Sequence, residues 1–431
     1  MAHRTIKTAY TNLSERINKF PQGAPPSKLL FAILKILFSE KEAELVATLP
    51  IKPFSAEKAA GIWKMDITST RNMLDELAGR AILVDIQQGD KTMYVLPPPM
   101  AGFFEFSLMR TRSDIDQKVL SELFYQYMNV EEDFIRDLFT LGDTQLGRAF
   151  VHEPVLSSDN ALHVLNYERA TEVIKAATHI GVGICYCRHK MEHLGKACDA
   201  PQDICMTFNT SAASLVKHGH ARAIDQYECL DLLQVAYENN LVQFGENVQN
   251  GVNFICNCCS CCCEALIAQR RFSVLNPVHT TNFLPDINHI NCNQCGKCVT
   301  ACPVEALVMV SANNPKKPKS KIPKLLADKC LGCGVCVRNC QPNAMTLKQR
   351  DKRVITPIDG VHRVVLMAID RGVLQNLIFD NQVLWSHRAL AGVLGAILKL
   401  PPVKRLLANE QIRSRYLEGL INRHNQQMAS S

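Results

Sequence analysis

The sequence predicts a multidomain protein of the α+β class. Its 431 residues are enough for two to four domains, and a hydrophobic content of 47% supplies their cores. Helical and strand-like patterns occupy separate segments of the chain. All nineteen cysteines lie between Cys185 and Cys340. Residues 185–340 are therefore expected to carry sulfur-based chemistry that the rest of the chain lacks.

The first patterned segment resembles a winged helix and is assigned to residues 27–110. Residues 27–38 and 42–48 are predicted to be buried helices. Ser55 is a helix-capping residue, and Gly89-Asp90 is a hairpin turn signal. The order helix, turn, helix and hairpin is typical of a winged helix. The last four predicted elements are helices over 56–64 and 68–78 and strands over 82–86 and 92–96.

Charge argues against a DNA-binding role for this segment. Residues 27–99 contain nine basic and nine acidic side chains, whereas binding to phosphates requires an excess of positive charge on one face. The residues predicted to point outward from the helix over 68–78 include one basic and two acidic side chains: Thr70, Arg71, Asp75 and Glu76. We therefore expect packing or protein docking, with a redox-sensing DNA-binding regulator as an alternative. The net charge of +7 over the whole chain is too diffuse to indicate nucleic acid.

Residues 111–180 are predicted to be a helical connector. Apolar residues recur at helical spacing from Ser113 to Leu141. His152 and His163 have ordinary surroundings and are expected to be hydrogen-bonded or exposed rather than catalytic.

Residues 181–285 contain an unusual density of cysteine, which we call the middle cysteine system. Six cysteines in eight positions cannot all be core residues, and soft thiolates select iron–sulfur clusters first, then zinc or copper(I). Redox-active thiols without metal are a further alternative. Cys229 is set apart, because its helical face predicts a buried core thiol. The members of the system are Cys185, Cys187, Cys198 and Cys205, followed by Cys256, Cys258, Cys259, Cys261, Cys262 and Cys263.

Two arrangements of the middle cysteine system are open. The first four cysteines form one site and a subset of the later six another, or the two segments share metal. Neighbouring cations either lower thiolate pKa values and raise the cluster potential or are solvated helix residues. These cations are Arg188, His189, Lys190 and His193.

Two further cysteine runs repeat the pattern C-x2-C-x2-C-x3-C. Three thiolates at this spacing bind one iron–sulfur cube from a tight loop, and the fourth lies where it can bind the other cluster. Zinc sites usually have two separated C-x2-C pairs, so zinc is the lesser alternative. The runs resemble bacterial-type ferredoxin domains with two 4Fe-4S clusters, over residues 286–350. This resemblance implies two ligand sets, Cys292, Cys295, Cys298 and Cys340 for cluster 1, and Cys330, Cys333, Cys336 and Cys302 for cluster 2.

From residue 20 to 420 the chain also resembles a family of iron–sulfur proteins of anaerobes. That family joins a winged-helix-like segment, a Cys-Tyr-Cys-Arg-His-Lys segment, a cysteine-dense segment and a dicluster domain. The resemblance implies folds and clusters but no particular reaction. Residues 313–324, the lysine loop, are predicted to be an irregular solvated loop or a dock for an acidic redox partner.

The remaining segments are a tail at 1–26 and a helical region at 351–431. Helices are predicted over 361–379, 384–398 and 410–423, and these pack on the cluster domains or on another subunit, with a membrane-surface helix as the alternative. The apolar run at 389–398 is about half of a membrane-spanning length. Cysteines without a signal peptide at the polar start favour a reducing cytosol.

The function expected from these observations is cytosolic transfer of single low-potential electrons. No Rossmann fingerprint, P-loop or flavin motif is visible. An oxidoreductase with its active centre between Cys185 and Cys263 is the enzymatic alternative. The donor, the acceptor and the oligomeric state do not follow from the sequence.

Overall fold

The computed structural model describes residues 8–379, and the chain is α+β, as predicted. The segment expected to be an N-terminal tail contains helix α1, whose Leu13 and Ile17 are buried. Serine and aspartate side chains cap the helices that follow, because their oxygens accept the free N–H groups of the first turn. The first elements are α1 (Ala9–Ile17), α2 (Lys28–Leu37), α3 (Glu40–Val46), β1 (Phe54–Ser55), α4 (Ala56–Trp63), α5 (Ile67–Gly79), β2 (Val84–Gln88) and β3 (Lys91–Val95).

These strands form a small antiparallel sheet in the order β1-β3-β2. The predicted outward position of Thr70 on α5 is wrong. Thr70 is fully buried, and its hydroxyl donates to the carbonyl of Asp66. Arg71 and Glu76 are exposed as predicted.

The predicted connector contains short helices and one strand. Helical periodicity over 113–141 appears as two α-helices separated by a π-helical turn at Gln126–Val130. Shorter 3-10 turns occupy Glu153–Val155 and Asn166–Glu168. Helix α6 (Phe104–Phe106) precedes the connector, whose α-helices and strand are α7 (Gln117–Tyr125), α8 (Asp133–Thr140), β4 (Gly147–Ala149), α9 (Ser158–Leu162) and α10 (Ala170–Ala176).

A six-stranded antiparallel sheet carries the middle cysteine system. Its order is β4-β8-β9-β6-β5-β7, so strand β4 from the connector forms one edge. A buried apolar cluster against this sheet contains Met206, Phe208 and Ile255, together with Cys229, which is buried as predicted. The elements are β5 (Ile180–Ile184), α11 (Tyr186–His193), β6 (Asp203–Phe208), α12 (Asn209–Lys217), β7 (Arg222–Ala223), α13 (Gln226–Glu238), β8 (Val242–Glu246), β9 (Phe254–Cys258) and α14 (Glu264–Arg271).

The last part of the described chain consists of two strand pairs and short helices. The ribbons pair β10 with β13 and β11 with β12. The elements are β10 (Phe283–Ile287), α15 (Lys297–Thr300), β11 (Leu307–Ser311), β12 (Lys321–Leu325), α16 (Val335–Arg338), β13 (Met345–Gln349), α17 (Gly360–Asp370) and α18 (Leu374–Ile378).

Two predictions for this region need correction. The end of the lysine loop is not irregular, because Lys321–Leu325 pairs with β11, and a two-stranded ribbon tolerates Pro323 since each strand has a free edge. The helix predicted over 361–379 is two helices, α17 and α18, with Gly372 at φ +67 between them. The helices predicted over 384–398 and 410–423 lie outside the described residues.

One apolar core connects the three parts of the protein. It contains Leu34 and Phe104 from the first part, Leu266 from α14, and Leu331 and Val335 from the cysteine repeats. Among residues 8–379, no helix is long and apolar enough to cross a membrane.

Candidate metal centres

The two cysteine repeats form similar loops, each followed by a short helix. Gly296 and Gly334 occupy the same place in the two loops, immediately before α15 and α16, with φ of +75 and +91. A left-handed residue at this position turns the chain sharply, so that three cysteines of one repeat face the same side.

The structure brings together the four cysteines assigned to cluster 1. Cys292, Cys295, Cys298 and Cys340 line one small cavity, although Cys340 comes from the second repeat. The nearby charge of Cys340 contributes, after burial, to raising the pKa of Cys298. Thiols from both repeats therefore converge as the crossed ligand set requires.

The set assigned to cluster 2 also converges. Burial raises the pKa of Cys330 to about 11 and of Cys333 to about 12, and Cys302 adds to both shifts through its charge. The amide of Ala306 donates to the sulfur of Cys302 at 3.2 Å, and that of Gly332 donates to Cys330 at 3.4 Å. Amide donors stabilise thiolates and tune the clusters they bind.

The two sets differ in their exposure to solvent. Cys295 is exposed and Cys292 and Cys340 are partly exposed, whereas Cys330 and Cys333 are buried. The amide of His152, whose ring is also buried, donates to the carbonyl of Cys333 at 2.8 Å. Burial lowers the pKa of His152 to about 4, so this ring is neutral. His163 is exposed.

The sheet brings the two segments of the middle cysteine system together. Strands β6 and β9 pair with Met206 opposite Ile255, which places Cys205 beside Cys256 with their sulfurs 3.9 Å apart. The thiol of Cys187, in the first turn of α11, donates to Cys263, and Cys258 does the same. These two hydrogen bonds lower the pKa of Cys263 well below its ordinary value. One cavity is lined by Cys185, Cys187, Cys205, Cys256, Cys258, Cys259 and Cys263.

Cys198 does not join Cys185, Cys187 and Cys205 in a compact site. It lies in the loop between α11 and β6, and its sulfur approaches those of Cys259, Cys261 and Cys262 instead. The sulfurs of these four cysteines all lie within 4.8 Å of one another. The first of the two arrangements left open by the sequence is therefore wrong in this detail, because strand pairing sends Cys205 to one side and the loop carries Cys198 to the other.

Arg188 is the cation that faces the thiols. Its guanidinium is fully buried, donates to the carbonyl of Asn257 at 3.1 Å, and has two nitrogens without a protein partner. A hydrogen bond from Cys262 and the charge of Arg188 lower the pKa of Cys259 to about 5 despite burial. Arg188 can therefore offset negative charge on bound thiolates.

The other cations near the first ligands have different roles. Lys190 is fully buried and pairs with the carboxylate of Glu264, which also accepts from the amide of Asn129 at 2.8 Å. His189 bonds the carbonyl of Leu108 at 2.7 Å. Neither is a solvated helix residue, so that alternative is wrong for both.

A cleft that the sequence did not predict reaches the middle cysteine system. It encloses about 1060 Å³, including space that opens to solvent, and its wall includes Glu105, Thr207, Cys205 and Cys256. Burial raises the pKa of Glu105 to about 7. No local motif marks Glu105, since the fold alone brings it to the cysteines.

Comparison with known proteins identifies one part of the chain. Residues 291–344 match the family described as the 4Fe-4S dicluster domain. Neither curated proteins nor solved structures give a match to the chain. The matched segment contains both cysteine repeats and none of the middle cysteine system. It is an iron–sulfur, ferredoxin-like domain, and the match together with the further cysteines supports a role in electron transfer.

Proposed function

We propose that this protein transfers low-potential electrons in a reducing cytosol, using two 4Fe-4S clusters and a further cysteine-ligated iron–sulfur centre. Cluster 1 would be held by Cys292, Cys295, Cys298 and Cys340, and cluster 2 by Cys330, Cys333, Cys336 and Cys302. When bound, such clusters supply one-electron redox chemistry. The observation that carries the proposal is the convergence of thiols from both repeats on the crossed sets.

The exposure of the cysteines supports a direction for transfer. Cys295 is open to a partner protein, while Cys333 lies in the core that also contains Cys258 and Cys263 of the middle cysteine system. The side chain of Gln269 on α14 donates to the carbonyl of Lys329, beside the second repeat. The residues thus provide an outward face for a redox partner and an inward face toward the middle system.

Charge supports an acidic redox partner. The lysine loop presents exposed ammonium groups on the same domain as Cys295. Such a patch attracts an acidic protein and speeds its encounter, and the effect decreases with salt. Three exposed lysines of this loop lie between β11 and β12: Lys316, Lys317 and Lys319.

The winged-helix-like segment is proposed to pack within the protein rather than bind DNA. Asp85 in strand β2 of its hairpin accepts hydrogen bonds from Ser214 at 2.6 Å and Lys217 at 2.5 Å, both on α12. These contacts dock the base of the hairpin on α12, which together with the balanced charge of the segment supports packing rather than duplex binding.

Cysteine substitution tests the electron-transfer proposal. Protein prepared anaerobically should contain at least the eight irons of two 4Fe-4S clusters. Replacing Cys295 and Cys333 together with serine should remove most of the low-potential signal in electron paramagnetic resonance. Cys229→Ser is the matched control, because Cys229 is a buried cysteine outside every proposed ligand set. An unchanged signal in the double variant would refute the ligand assignment.

The cleft favours an oxidoreductase as the second candidate function. A small molecule in the cleft could reach Cys205 and Cys256, with Glu105 positioned to exchange a proton. Thr210 is exposed and lines the same cleft, so Thr210→Trp should block entry. The reduced Thr210→Trp variant should then no longer be oxidised by small-molecule acceptors, while its dicluster signal stays intact. Equal oxidation rates in the variant and the wild type would count against an active site in this cleft.

A further inference from the structure

The close approach of four sulfurs in the middle cysteine system has a specific chemical meaning. A tetrahedral ion bound by thiolates at about 2.3 Å places the sulfurs roughly 3.8 Å apart. All pairs among Cys198, Cys259, Cys261 and Cys262 lie within 4.8 Å, and the sulfurs of Cys261 and Cys262 are 3.6 Å apart. The four thiols are therefore spaced for one shared metal ion.

Cluster ligands are spaced differently. In a 4Fe-4S cube each cysteine binds its own iron, so two sulfurs are separated by two iron–sulfur bonds and an iron–iron edge. The eight cysteines of the dicluster domain provide a comparison within the same chain. Over residues 8–379, they form no group of sulfurs as compact as that of Cys198, Cys259, Cys261 and Cys262. The compact group thus differs from cubane ligation in this protein itself.

The local backbone also suits a single ion. Cys259 and Cys262 form a C-x2-C pair, a spacing typical of tetrahedral thiolate sites. The amide of Cys262 donates to the sulfur of Cys259, and the amide of Cys198 donates to the sulfur of Cys262. Such donors stabilise the thiolate form that a metal requires. The Arg188 guanidinium, beside Cys259, reduces the net negative charge of a four-thiolate site.

We propose that Cys198, Cys259, Cys261 and Cys262 bind a single thiophilic divalent ion, Zn²⁺ or Fe²⁺, in a tetrahedral site separate from the clusters. The inference rests on the proposed role of the middle cysteine system as a metal centre, and it divides that system in two. The further iron–sulfur centre would then draw on the remaining cysteines, which are Cys185, Cys187, Cys205, Cys256, Cys258 and Cys263.

The ion would have a structural consequence. Cys198 lies in a loop without regular secondary structure between α11 and β6, and the other three ligands precede α14. An ion joining these segments closes a loop of the chain next to the cavity lined by the remaining thiols. A closed site with four protein ligands is typical of a structural metal ion.

Metal analysis of the full chain tests the proposal. Protein prepared anaerobically is compared with Cys198→Ser and Cys261→Ser, and Cys229→Ser serves as the control. Each ligand variant should lose one zinc or one iron per chain, while the control and the dicluster resonance signal remain unchanged. Because Cys261 is exposed, its replacement should not prevent folding.

X-ray absorption at the zinc and iron edges distinguishes the two ions. If the ion is zinc, the zinc edge of the wild type should show a shell of four sulfurs without a neighbouring metal. If the ion is iron, the iron edge of each ligand variant should lack the contribution of one isolated high-spin iron that the wild type shows. Loss of two or more irons in Cys261→Ser, or no loss of metal in either variant, would overturn the single-ion site. Absence of the dicluster signal from wild-type protein would instead count against the electron-transfer proposal.

Discussion

Substitution of Gly332 should test how tightly the second cysteine repeat is packed on the rest of the protein. Gly332 has φ +71, and a Cβ there would overlap the hydroxyl of Thr281 and the carbonyl oxygen of Phe283. A left-handed alanine costs about 1–2 kcal/mol, and forcing an added methyl into a packed site costs about 1–3 kcal/mol more. Gly332→Ala should therefore lower the free energy of unfolding by about 2–5 kcal/mol.

The assay follows the visible absorbance of the clusters during anaerobic urea titration, where the loss corresponds to a midpoint lower by about 1–2 M. Gly296→Ala is the matched control, because Gly296 has φ +75 but no atom within 4 Å of its Cβ position. The control should lose only the 1–2 kcal/mol that backbone strain costs. Equal midpoints for the two variants would refute the packing argument, since strain alone would then explain both.

Two further predictions concern buried charges. Asp85→Asn should lower stability at pH 7 by about 1–3 kcal/mol through loss of hydrogen bonds to α12. Although burial raises it, hydrogen bonds from Lys217 and Ser214 hold the pKa of Asp85 below its ordinary value. In the wild type the stability contributed by the Asp85 carboxylate should therefore persist from neutral pH down to about pH 4, and be lost as the pH falls further through that lowered pKa. An Asp85→Asn variant with the same urea midpoint as the wild type at pH 7 would contradict this prediction. Glu264→Gln should lower the free energy of unfolding by about 3–5 kcal/mol, because Lys190 then keeps a buried charge without its carboxylate partner. Adding Lys190→Met should recover part of this loss in a double-mutant cycle. Additive effects of the two substitutions would show that the pair is not coupled.

The sequence predicts those helices and turns whose ends are set by residues next to them in the chain. Helix α5 begins after Asp66, whose carboxylate accepts the amide of Ser69, and the hairpin turns at Gly89, which has φ +57. The convergence of the cysteines in the dicluster domain could be predicted, because their spacing lies within two short loops and resembles that of ferredoxins. The predicted helix over 361–379 failed at Gly372, because the apolar periodicity continues across a residue that adopts a left-handed conformation.

The grouping in the middle cysteine system could not be predicted because it depends on long-range pairing. Whether Cys205 meets Cys198 or Cys256 is decided by the register of β6 against β9, and the two strands are separated by α12, β7, α13 and β8. Glu105 lies eighty residues before the first cysteine and reaches the cavity only through the fold. Its carboxylate carries no spacing signal of its own.

The unequal burial of the two ferredoxin ligand sets implies an order of oxidative damage. Dioxygen and peroxide attack thiolates according to their accessibility, and Cys295 is exposed whereas Cys330, Cys333 and Cys336 are buried. In air, the proposed cluster 1 should therefore lose its iron before the proposed cluster 2, and the protein should then no longer accept electrons from a partner through the exposed face of the domain. Within the dicluster domain, the exposed Cys295 is therefore the ligand at which oxygen sensitivity should begin.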